Sequence, residues 1–160
     1  MKVLFIGKDK DAYEILNEVA SLSQSEVIMA ESLQEAKNII ETSKDIHGIV
    51  AFAKVDNLPT VQLLSILKRN EDLEDIPFII LAEDLTEDDK DYYKALGVTE
   101  VFEIPFNPLE VFLVITASLK DKRGEEVVKQ ILQEAKTKKK KSLFERIIEP
   151  LKKLFGIKSE

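Results

Sequence analysis

The sequence predicts an α/β fold in which a parallel sheet lies between two layers of helices. Short apolar runs alternate with segments of helical periodicity as far as residue 120. The inner runs, Val3-Leu4-Phe5-Ile6, Gly48-Ile49-Val50-Ala51-Phe52 and Phe78-Ile79-Ile80-Leu81, are apolar at nearly every position. Strands covered on both faces need that continuity; half-exposed strands alternate. Capping and breaking residues punctuate the pattern at Asp9, Ser32, Pro77, Thr86, Gly97 and Pro108.

Residues 2–6 read as the first buried strand. A helix over 11–22 follows, with Ile15, Leu16, Val19, Ala20 and Leu22 at helical spacing. Asp9 or Asp11 caps it, and Asp11-Ala12-Tyr13-Glu14 fits a capping box with aspartate in the usual Ser/Thr place. Residues 26–30 form a short second strand. Ser32 then caps a helix whose inner face is Leu33, Ala36, Ile39 and Ile40. His47, the only histidine, reads as a surface loop residue before the third strand, 48–53. A helix over 60–69 is expected on Val61, Leu64 and Leu67. Pro77 opens the fourth strand, 78–82. Thr86 starts an acidic helix that ends near Gly97. The fifth strand is 100–103, and the fifth helix is 108–120 with Pro108 in its first turn. Crossovers between parallel strands are expected to be right-handed.

In an open parallel sheet the carboxyl ends of the strands form the crevice where ligands bind. In this chain those ends run into Gly7-Lys8, Ala53, Ala82 and Ile104, which offer almost no chemistry. There is no cysteine, so disulfides and thiolate sites are excluded, and a single histidine argues against zinc. Gly7-Lys8-Asp9-Lys10 is too poor in glycine for a phosphate-cradling loop. No catalytic residue, cofactor or metal site is expected.

Five pieces of the chain resemble, in order and separation, a receiver domain, the CheY-like module of bacterial response regulators. They are the run 2–6, residues 47–53, Ile76-Pro77 before the fourth run, Ala95-Leu96-Gly97-Val98, and Ile104-Pro105-Phe106. The resemblance covers about residues 1–120. It implies a flavodoxin-like (βα)5 three-layer sandwich with strand order 2-1-3-4-5 and a cis bond at Ile104-Pro105. It also implies where receiver chemistry would sit, and each such position departs from the pattern. Gly7 and Lys8 replace the acidic pair that holds magnesium. Ala53 stands at the phosphate-accepting aspartate. Ala82 stands at the switch threonine or serine, and Ile104 at the lysine before the proline. Magnesium wants hard oxygen ligands, and an ammonium repels it. The fold is therefore expected to carry over and the phosphotransfer is not. The alternative is a phosphoacceptor whose acidic site is displaced onto Asp9 or Asp56.

The net charge of −7 hides an asymmetry. Residues 1–120 hold 11 lysines and arginines against 23 acidic residues, and residues 121–160 hold 12 against 7. An acidic domain, 1–120, thus precedes a basic tail. Residues 121–141 read as a helical linker with a lysine-rich hinge. Val127, Val128, Ile131, Leu132 and Ala135 form its apolar stripe, suited to packing on the domain or to pairing in a homodimer. Four lysines follow at 138–141. Residues 142–160 read as a basic amphipathic helix with Phe144, Ile147, Ile148, Leu151, Leu154 and Phe155 on one face and Lys152 and Lys153 beside it. Such a helix suits an anionic membrane surface, through residues 142–158, or a groove on a partner protein. Specific nucleic-acid reading is disfavoured, since no helix-turn-helix pair follows residue 120. Met1 and Lys2 precede only four apolar residues, too few for a secretory leader, so a cytoplasmic protein is expected, attached at most to the inner membrane face.

The expected function is that of a non-enzymatic, receiver-like interaction or scaffold module in bacterial signalling or cell organisation. The face that receivers commonly use would offer Tyr92, Tyr93, Val101 and Glu103 to a protein partner. The acidic run at 87–91 could steer a basic one.

Overall fold

The computed structural model describes residues 1–118. Five strands, β1 (Lys2–Ile6), β2 (Glu26–Ala30), β3 (Gly48–Phe52), β6 (Phe78–Ala82) and β7 (Glu100–Glu103), form one parallel sheet. Its order is β2-β1-β3-β6-β7, which is 2-1-3-4-5 when only these five are counted. The helices are α1 (Lys10–Ser21), α2 (Leu33–Thr42), α3 (Leu64–Leu67), α4 (Glu87–Leu96) and α5 (Pro108–Ala117).

Side chains alternate across each strand, so the sheet feeds two cores. Val3, Phe5, Val50, Ile79 and Leu81 face α1 and α5, against Leu16, Val19, Phe112 and Ile115. Leu4, Ile6, Ile49, Ala51, Phe78 and Ile80 face the other way, against Ala36, Ile40, Leu64 and Leu67. Each fully buried Leu, Ile or Phe contributes about 1.5–3 kcal/mol by leaving water. Gly48 lets β3 approach α5, because an added Cβ would lie 3.0 Å from Ile115.

Local signals differ from expectation at several places. The Asp11 capping box does not form: α1 begins at Lys10, and Asp9 accepts the Ala12 N–H at 3.1 Å. A two-residue hairpin, β4 (Lys54–Val55) with β5 (Leu58–Pro59), follows β3. Asp56 and Asn57 take φ of 53° and 62°, the paired positive values that tight hairpin turns require. The helix expected over 60–69 is instead a 3-10 turn, Thr60–Leu63, running into the single turn of α3. Asn70 ends it by donating its side-chain amide to the carbonyls of Ile40 and Ser43 at 2.8 and 3.0 Å. His47 lies in the loop before β3 as expected, half-buried, and accepts the Lys2 N–H on Nδ1 at 3.1 Å. Finally, α5 ends at Ala117, short of residue 120.

α4 is bounded as its sequence requires. Thr86 and Asp89 form a reciprocal capping box, and Gly97 closes the helix at φ 107°. None of its residues is fully buried. The linker stripe and the basic amphipathic segment, residues 142–160, lie outside the described residues. Among the described residues no helix is long and apolar enough to cross a membrane.

Candidate functional site

The carboxyl ends of β1, β3, β6 and β7 meet at one rim, and each sequence-predicted position lies there. Gly7 is buried at the end of β1, its N–H donating to Ala30 O at 3.0 Å. A Cβ placed on it would lie 2.4 Å from Cδ2 of Phe52, below any real van der Waals contact. Phe52 ends β3 and stands edge-on to Phe5 at 5.8 Å, and Phe5 stacks on Tyr13 at 6.3 Å. An aromatic cluster therefore fills the ground beside Gly7. The sequence marked Phe52 only as a flank of Ala53; nothing in it revealed that its ring turns toward β1.

Lys8 points out and pairs with Asp56 of the hairpin, Nζ to Oδ1 at 2.5 Å. Both side chains are more than half exposed, so the pair is worth at most about 1 kcal/mol. Asp56 is thus engaged with an ammonium, and Asp9 with the start of α1. Among the described residues no three His, Cys, Asp or Glu side chains gather as a metal ion needs.

Ala53 presents only a methyl group. Its N–H donates to Leu81 O at 2.9 Å, and its carbonyl accepts from the Thr60 N–H at 3.0 Å. Thr60, fully buried, also donates its hydroxyl to Phe52 O at 2.6 Å. This lock on the loop after β3 carries no signal in the sequence, since a lone threonine before a helix reads as an ordinary cap. Ala82 accepts the Ile104 N–H on its carbonyl at 2.9 Å, and the Ile104-Pro105 bond is cis.

Between these strand ends and α4 lies an open cleft of about 440 Å³. Ala53, Leu81, Ala82, Leu85 and Ile104 line it, with Tyr93 of α4 on one wall and Glu83 and Asp89 at its edge. The Thr86 backbone N–H, then its hydroxyl, hold the Asp89 carboxyl below the ordinary aspartate value. Partial burial raises the Tyr93 phenol, helped by the nearby Asp89 charge.

The face of α4 and β7 is divided. Tyr92 is 55% exposed and leans on Tyr93 with ring centres 5.5 Å apart. Glu103 is exposed and accepts the Leu85 N–H at 3.2 Å. Val101 does not join them: it is buried on the α2–α3 side of the sheet. Leu96 of α4 is instead an exposed large apolar side chain on this face.

No family model matches the chain, and no curated protein does. Solved structures do. The receiver domain of the Francisella response regulator 1452 superposes with a TM-score of 0.64 at 22% identity, covering 73% of this chain and 94% of that one. Vibrio cholerae chemotaxis protein CheY4 gives 0.64 at 18%, covering 74% and 98%. The non-phosphorylated HemR receiver domain of Leptospira biflexa gives 0.62 at 20%, covering 76% and 96%. The chain has the fold of these CheY-like receiver domains.

Proposed function

We propose that this chain is a receiver-fold module that accepts no phosphoryl group and works by presenting a surface to a protein partner, in bacterial signalling or cell organisation. The observation that carries the reading is the Phe52 ring in the space that any side chain at residue 7 would need. A receiver's magnesium requires carboxylates there and at the end of β3. This rim offers a glycine, an exposed ammonium and the methyl group of Ala53, so the residues present do not fit the ion. The alternative, a displaced acidic site on Asp9 or Asp56, is disfavoured by what those carboxylates already bind.

The contact surface we assign is Tyr92, Leu96, Glu103 and the half-buried Tyr93, with the acidic first turn of α4 drawing a basic partner toward it. The domain of residues 1–120, the linker of 121–141 and the amphipathic segment of 142–160 divide the work: the first recognises, the last attaches. Y92A/L96A in the full chain should abolish capture of a native-host partner while leaving the fold intact. Unchanged capture by that variant would remove this face from the reading.

A further inference from the structure

The cleft between the strand ends and α4 borders the assigned contact surface at Tyr93, and its own chemistry is definite. Its floor is apolar, formed by Ala53, Leu81, Ala82, Leu85 and Ile104. Its α4 edge is acidic: Glu83 and Asp89 line it, and exposed Asp84, Glu87 and Asp88 flank them. Lys54 also lines the cleft. Such a trough suits a large apolar side chain carried on a basic stretch of backbone.

The chain contains one. Four lysines at 138–141 are followed by Leu143, Phe144, Ile147 and Ile148. The lysines match the acidic start of α4, and the aromatic ring matches the floor. The overall charge agrees, with an excess of acidic residues up to 120 and of basic residues after it. Reach is ample. α5 opens at the cleft end of the sheet and runs back, so Ser118 lies at the far end. The sheet is roughly 17 Å deep along a five-residue strand. The twenty residues from 118 to 138 span about 30 Å even as continuous helix, and more when extended.

We propose that residues 138–148 of this chain dock in the cleft of the same molecule, with Phe144 over Ala53 and Ala82 and the lysines against α4. The inference goes beyond the surface-recognition reading and stands if that reading fails. A docked tail withholds its basic, apolar face from any other surface, so the two engagements compete.

The chain has no cysteine, so a nitroxide on S142C reports on a single site in the full-length protein. We expect the amide signals of Ala53, Ala82, Glu83 and Tyr93 to be broadened, to sharpen when the label is reduced, and to stay broadened on tenfold dilution. Charge reversal at the exposed edge, E83K/D88K, or high salt should release the tail and restore the signals. The dispersed amide signals of β3 and β6 verify that the variant is folded, and salt alone gives the same test on the parent chain. Sharp signals throughout would overturn the proposal. So would broadening that fades on dilution, which would place a second copy's tail in the cleft.

Discussion

Phe52 and Gly7 form a matched pair, because the ring occupies the volume that a side chain at residue 7 would claim. Aspartate at that position must push the ring out of its contact with Phe5. G7D should therefore destabilise the protein by about 1–3 kcal/mol. Paired with F52A it should cost less than the two single changes added together, since the ring is then gone. Denaturant melts of the four proteins measure the coupling, and additive values would separate the two residues. Thr60 makes a second residue-scale test. Its buried hydroxyl donates to Phe52 O, so T60V leaves that carbonyl one donor short and should cost about 1–3 kcal/mol. The residues that end each strand were legible by position alone. What fills the crevice was not: side-chain direction at a strand terminus depends on neighbours 45 residues away, as Phe52 and Gly7 are.

At the scale of elements, the strands were legible because local apolar runs set them. β1, β2, β6 and β7 fall on the expected residues, and β3 ends one residue early. The hairpin after β3 has no clear sequence signal, because Asp56 and Asn57 take left-handed conformations without a glycine and Pro59 argues against a strand. α3 is shorter than its apolar spacing suggests because the Asn70 amide bonds beyond it are long-range and leave no local signal. α4 buries none of its residues, so its caps matter more than usual. T86A should cost about 1 kcal/mol, and G97A somewhat more because φ 107° is strained for alanine. The Asp89 arm of the box also sets a pH dependence. Its native carboxyl titrates below the unfolded value of about 3.9. The stabilisation is complete above that value and is lost as pH falls through the lower native one. Acid melts should show D89N losing less stability than the parent over that range.

For the whole molecule, residues 1–120 carry an excess of acidic residues and residues 121–160 an excess of basic ones. Vesicles containing anionic lipid should pellet the full chain more than residues 1–136, and the difference should shrink as salt is added. Equal pelleting would leave the tail without a membrane role. The parallel sheet and its two cores follow from the alternation of strand and helix, whereas the strand order was implied only by the resemblance to receiver domains. The surface was less legible. Val101, expected as a contact residue, is covered by the core on the α2–α3 side, whereas Glu103, two residues on and on the same face, stands at the exposed end of β7. Incubation with acetyl phosphate and magnesium decides whether the rim takes a phosphoryl group. Intact-mass spectrometry should find the chain unchanged, and beryllofluoride with magnesium should leave the amide spectrum around Ala53 unmoved. A mass gain of one phosphoryl group, or magnesium-dependent shifts at Ala53, would contradict the account.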